Sequence, residues 1–184
     1  MHVMREWGGI VDRETLVNRA VLNCVHFVRQ YIYFLHMADQ REDFEETVLT
    51  YIHNNFIDMA ILGWSHLFGN HNDDLHYRKI CLDADEFKVQ MLKELELDDE
   101  GWKGYWHEVQ TFRNKRVAHL EVVPDVIVPD LDLAYRSVAF YYGHFIAGLK
   151  ENPKFVAYPD SLDEFSNNRD SKYFGHIRSI VRAV

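Results

Sequence analysis

The stretch Thr111–Glu121 reads T-F-R-N-K-R-V-A-H-L-E, and its side chains are the ones best equipped for chemistry on an anion. Between Gly101 and Leu120, Lys103, Arg113, Lys115 and Arg116 face a single acid, Glu108. A local basic patch of this kind can hold a phosphate backbone. On a helical wheel at about 100° per residue, Trp102, Trp106, Val109, Val117 and Leu120 form an apolar stripe. Tyr105 and Phe112 lie along one edge of it, Arg113 falls near its middle and Arg116 falls inside it. A guanidinium cannot shed its charge, and burying it alone is costly. Arg113 therefore needs an acid, a lined cavity or a subunit seam. Arg113 and His119 are six positions apart, about 120° around the axis and about 9 Å along it. They do not stack on one face. They can converge on one ligand where two copies meet at a two-fold axis.

The elements that carry these residues read as helices. The chain has 184 residues, 47% hydrophobic and 27% charged, which suits one domain with a real core. Glycine (9) and proline (4) are scarce, which favours long helices. Asp12 caps a helix running to about Met37, with Leu16, Val17, Ala20, Val21, Cys24, Phe27 and Val28 on its apolar stripe. A second helix spans about Phe44 to Phe68 and is apolar nearly all round in its later half. Asp58 and Asn55 sit in that half, and one of them is expected to face Arg113. A short helix follows from about Ala84 to Leu95. Asp98–Asp99 caps a fourth, which carries the basic patch to His119 or Leu120, and a fifth runs from about Leu131 to Lys150. The prolines of V-V-P-D-V-I-V-P-D hold the segment before it extended. Beyond Pro153 the chain reads as loop, a short turn near Asp160–Phe165 and a final helix from about Asp170. No strand pattern persists. The expectation is an all-α, up-and-down bundle of about five main helices, one domain over 1–184, with its core at about 12–150 and residues 151–184 as a C-terminal extension.

Composition narrows the function classes. A formal charge of −9 argues against a protein that coats nucleic acid generally. Cys24 and Cys81 have no metal or disulfide spacing, and Cys24 reads as core. The opening M-H-V-M-R-E-W-G-G lacks the apolar run of a signal peptide. Phe27–Ala38 is too polar and too short to span a bilayer. A cytoplasmic setting without membrane partners is expected. His66, His71 and His76 recur at five-residue spacing around Asp73 and Asp74. Such groups can bind a transition metal, but the spacing matches no helical face, and a solvated polar loop is the simpler reading. No metal or cofactor is expected. Trp106 and Tyr105 can stack a base, with packing the plainer role for both.

The spacing Arg-Asn-x-x-x-x-His at Arg113, Asn114 and His119, near the end of a late helix in an all-α bundle, resembles the signature of HEPN domains. The wider F-R-N-K-R-V-A-H-L-E after an aromatic-rich helix start is similar to the abortive-infection, AbiU-like branch. The resemblance implies a metal-independent endoribonuclease cutting single-stranded RNA, in a toxin or antiviral role, as a homodimer with both motifs at the seam and an antitoxin as a further partner. Arg113 would then hold the scissile phosphate. His119 would move protons, and Asn114 would orient a partner. The attacking group would be the RNA's own 2′-hydroxyl. Lys115 and Arg116 are candidate backbone contacts, which the motif itself does not demand. One toxin branch has a tyrosine two places after the histidine, and here that place is Glu121. The alternatives are a non-catalytic module binding RNA or a nucleotide through the same patch, and an interaction subunit in which Arg113 is a paired core charge.

Overall fold

The computed structural model describes residues 4–6, 9–39, 48–118, 127–167 and 175. The fold is all-α, with one small antiparallel hairpin at its start: β1 (Met4–Glu6) pairs with β2 (Gly9–Val11), Arg5 opposite Ile10. That hairpin departs from the strandless expectation; three residues per strand are too few for an alternating pattern to be read. The helices follow as α1 (Arg13–Asp39), α2 (Val48–Phe68), α3 (Tyr77–Ile80), α4 (Ala84–Glu94), α5 (Asp99–Phe112) and α6 (Leu131–Lys150). A one-turn 3-10 helix at Pro153–Phe155 and a short helix over 162–167, α7, come after α6. The expected helix from Asp170 and the start of the second helix at Phe44 lie outside the described residues.

Local chemistry explains where the helices begin. The Asp12 carboxylate accepts from the Thr15 amide at 2.8 Å, satisfying a donor that the first turn leaves unpaired. Asp83, Asp98 and Asp130 do the same for α4, α5 and α6. At the end of α4, the Leu97 amide reaches back to the Leu92 carbonyl at 3.0 Å and the Glu96 amide to Lys93 at 3.3 Å. This closure requires a left-handed residue, and Glu96 (φ 57°) supplies it without being glycine.

Packing gathers the long helices around α2. Trp64, fully buried, donates its indole N–H to Ser137 Oγ of α6 at 2.9 Å. Trp102 and Tyr105 of α5 close on the same indole, ring centroids 5.8 and 5.7 Å away. α1 lies against both α2 and α6 and buries Val17, Ala20, Val21, Cys24, Phe27 and Val28. The Asn23 side-chain amide donates to the Gly63 carbonyl at 2.8 Å and ties α1 to α2. α5 lies on another side of α2. The Trp106 N–H donates to the Phe68 carbonyl at 2.9 Å, and a Cβ on Gly69 would stand 2.5 Å from Gln110 Nε2 and 2.7 Å from the Ser65 carbonyl. That approach leaves room only for glycine at the end of α2. Among the described residues no helix is long and apolar enough to cross a membrane.

Candidate phosphate site on a pi-wound helix end

α5 does not continue as an α-helix through the basic motif. From Arg113 to Ala118 the backbone is wound as a π-helix, a wider turn with i→i+5 bonds that recurs at functional sites. The buried face of α5 holds Trp102, Tyr105, Val109 and Phe112. Continued at about 100° per residue, that face would carry Arg116 at its centre and Arg113 on its flank, beside half-buried Trp106. Both arginines are half-buried, and Asn114 and Lys115 are exposed.

The two arginines are handled differently. Arg116 Nε donates to Asp58 Oδ1 of α2 at 2.9 Å, both side chains about a quarter to a third exposed. Its guanidinium also stands over the Phe112 ring, 5.5 Å from the centroid. The expected acid on α2 therefore exists, but it serves Arg116 and not Arg113. Asn55, the other expected partner, is exposed. Arg113 donates through Nη1 to the Asn114 side-chain oxygen at 3.1 Å. Its Nε is buried without a hydrogen-bond partner, and among the described residues no carboxylate pairs with it. A neighbouring side-chain amide, Gln110 Nε2, is likewise sealed and unpartnered. His119 lies outside the described residues.

A histidine that the motif does not include shares this region. His66, near the end of α2, holds Asp73 of the next loop through Nδ1···Oδ2 at 2.5 Å. The same carboxylate accepts from the Leu75 amide at 3.0 Å through its other oxygen, which fixes it in place. The bond to Asp73 raises the His66 pKa above 6.5, against burial and the positive field of Arg113, which lower it. For Asp73, burial pushes upward, yet the bond to His66 and the Leu75 amide leave its pKa below the usual carboxylate range. His66 and Asp73 open into a shallow cleft of about 570 Å³ that also takes in Arg19, His26 and Asn72. An imidazole oriented by a carboxylate, exposed on its outer edge and within the field of an arginine, can transfer protons to a bound phosphate ester.

The histidine loop is solvated over Asn70, His71 and Asn72, as its composition suggests, but its end turns inward. His76 is fully buried, and its Nδ1 accepts from the Arg78 amide at 3.2 Å to cap α3. Burial and the neighbouring His71 push its pKa down to about 4, so its ring is neutral. A polar loop conceals such a residue because a single inward side chain leaves no periodic trace. Among the described residues no group of three or more His, Cys, Asp or Glu side chains converges as a metal site would require. Tyr105 and Trp106 both serve the packing: the Tyr105 hydroxyl donates to the Asp130 carbonyl at 2.7 Å, and Trp106 bonds to Phe68 as above.

Compared with protein-family models, with curated proteins and with solved structures, the chain matches none.

Proposed function

We propose that this protein is a metal-independent endoribonuclease of the HEPN type, acting on single-stranded RNA. The observation that carries the reading is the state of Arg113. It sits on a π-wound helix end with its guanidinium committed to no described carboxylate, while the arginine three places on is matched to Asp58. A structural charge of this kind normally has its acid. An unmatched one is available to an anion that arrives from outside.

In this mechanism the Arg113 guanidinium grips two oxygens of the scissile phosphate in its planar fork. It offsets the extra charge that builds as the ribose 2′-hydroxyl attacks phosphorus. Asn114 holds the guanidinium from the side. The attacking hydroxyl gives up its proton, the P–O5′ bond breaks and the leaving 5′-oxygen takes a proton. The products are a 2′,3′-cyclic phosphate and a 5′-hydroxyl. His119 moves these protons by the motif's logic, and His66, braced by Asp73, is the second imidazole in the region. Lys115, exposed, contacts the flanking backbone; Arg116 spends one donor on Asp58 and keeps its others for the same task.

The homodimer belongs to this proposal. α2 exposes Val48, Tyr51 and Met59, and at about 100° per residue they share a face with Asn55 and His66. This apolar stripe runs toward the candidate site, the placement that a two-fold seam over both motifs needs. A role in growth arrest or antiviral defence in the cytoplasm, restrained by an antitoxin, completes the proposal. It is tested by expressing the wild type, Arg113→Ala and His119→Ala. The wild type should arrest growth and cut RNA, and both folded variants should do neither. Equal toxicity in the variants would overturn the reading.

A further inference from the structure

After α6 the chain doubles back and runs beside α1. Asn152 bonds to Glu14, Tyr158 bonds to Asn18, and the Phe165 ring lies under the Arg29 guanidinium, 5.8 Å from its centroid. Between the two runs lies a groove of about 650 Å³, within the range of small-ligand sites. Its outer wall is held in place: the Tyr142 hydroxyl donates to the Pro159 carbonyl and the Tyr135 hydroxyl to Asp163, each at 2.6 Å. A wall fixed in this way costs a ligand little in ordering. On α1, Asn18, Leu22, Val25 and Arg29 share one face at about 100° per residue and span roughly 16 Å. The middle of that face is apolar, and Phe155, Tyr158 and Pro159 line the groove opposite.

The end at Arg29 is cationic. Arg29 is half-buried, its Nε is sealed without a hydrogen-bond partner, and among the described residues no carboxylate pairs with it. A guanidinium keeps its charge, so its two terminal nitrogens are the groups left for an incoming anion. At the other end the Tyr158 hydroxyl donates to Asn18 Oδ1 at 2.8 Å, and these two polar groups serve each other. A peptide lying here would leave its own N–H and C=O groups short of partners. An alkyl chain has none to satisfy. Glu164, exposed on the rim, disfavours a doubly charged phosphate ester. A carboxylate brings one charge and matches the planar fork of arginine.

We infer that this groove binds an unbranched aliphatic monocarboxylate, its head on the terminal nitrogens of Arg29 and its chain along Val25 and Leu22 toward Asn18. Burial of the chain supplies affinity, and the charge-assisted bond to Arg29 sets its direction. The inference stands apart from the ribonuclease proposal, because none of its residues belongs to the motif at Arg113.

The test is a calorimetric titration of the full-length protein at pH 7 with octanoate, with 1-octanol and with acetate. Wild type, Arg29→Gln, Leu22→Glu and Arg113→Ala are compared after circular dichroism shows each to be folded. Leu22 lies at the exposed lip, 38% accessible, so its variant carries the test if Arg29→Gln does not fold. Octanoate should bind saturably, one molecule per chain. Octanol, which lacks the charge, and acetate, which lacks the chain, should each bind at least about tenfold more weakly, roughly one charge-assisted contact or its equivalent in buried chain. Octanoate affinity should fall by a similar factor in Arg29→Gln and in Leu22→Glu and remain unchanged in Arg113→Ala. No saturable binding of octanoate at millimolar concentration overturns the inference, as does octanol or acetate binding as tightly as octanoate. Unchanged affinity in the folded Arg29→Gln or Leu22→Glu variant also overturns it. Octanoate binding lost in Arg113→Ala but kept in both groove variants rejects this groove and leaves the ribonuclease proposal standing.

Discussion

Arg113 and Arg116 stand three positions apart and meet opposite surroundings. The pair of Arg116 with Asp58 is half-buried and well directed, so truncating the acid strands a partly desolvated cation. Asp58→Ala should lower stability by roughly 1–2 kcal/mol, between the values for an exposed pair and for a sealed charge-assisted bond. Arg113→Ala should shift stability by less than about 1 kcal/mol, the range of a side chain without a buried partner. Urea melts of the two variants check this contrast, and a larger loss at Arg113 would mark it as a structural charge. His66 and Asp73 titrate as a pair. Folding raises the His66 pKa above 6.5, so its contribution to stability is complete below 6.5 and fades as pH climbs through the folded value. Folding lowers the Asp73 pKa below 3.8, so its share is present above 3.8 and fades as pH falls through the folded value. The pair is fullest between those limits. NMR titration of the His66 ring should show a midpoint above 6.5 that drops in Asp73→Asn; an unchanged midpoint would mean that the contact does not form in solution.

At the level of the helix, caps and closures decide the ends. Glu96 occupies the left-handed position that closes α4, and an L-residue there costs about 1 kcal/mol relative to glycine. Glu96→Gly should therefore raise the urea midpoint by a corresponding amount, and a loss of stability would show that the side chain contributes something that the backbone argument omits. Much of this level was legible in the sequence. Asp12, Asp98 and the residues bounding Leu131–Lys150 mark their helix ends by residue type alone, because capping and apolar spacing are local properties. α3, four residues long, was not, since it is shorter than one period of any pattern worth counting. The π-winding from Arg113 was equally hidden. Asp58 was matched to the wrong arginine because the stripe was centred on Trp106 and Val117, with Tyr105 and Phe112 at its edge, whereas the buried face of α5 is Trp102, Tyr105, Val109 and Phe112 and centres on Arg116.

For the molecule as a whole, the core explains its shape and the surface points to its partners. Trp64 joins α2, α5 and α6 through one hydrogen bond and two ring contacts, so the face bearing Arg113 is held by the most buried part of the fold. The exposed Val48, Tyr51 and Met59 of α2 are covered by none of the described residues. If the proposed two-fold seam runs over this stripe, Met59→Glu should halve the mass read in light scattering, because the seam places the new charge twice at one interface. An unchanged mass would move the seam elsewhere. The candidate site was legible only as a motif: Arg113 and Asn114 could be named from spacing, whereas His66 approaches Arg113 through the fold alone, 47 positions away in the chain.

The most direct trial of the central claim is the end chemistry of RNA cut in the presence of EDTA. Purified wild-type protein and a folded Arg113→Ala variant are each incubated with an end-labelled single-stranded RNA. The wild type should leave fragments ending in 2′,3′-cyclic phosphate, and the variant should leave the RNA intact. Cleavage that persists in Arg113→Ala, or that appears only when a metal ion is added, would contradict the account.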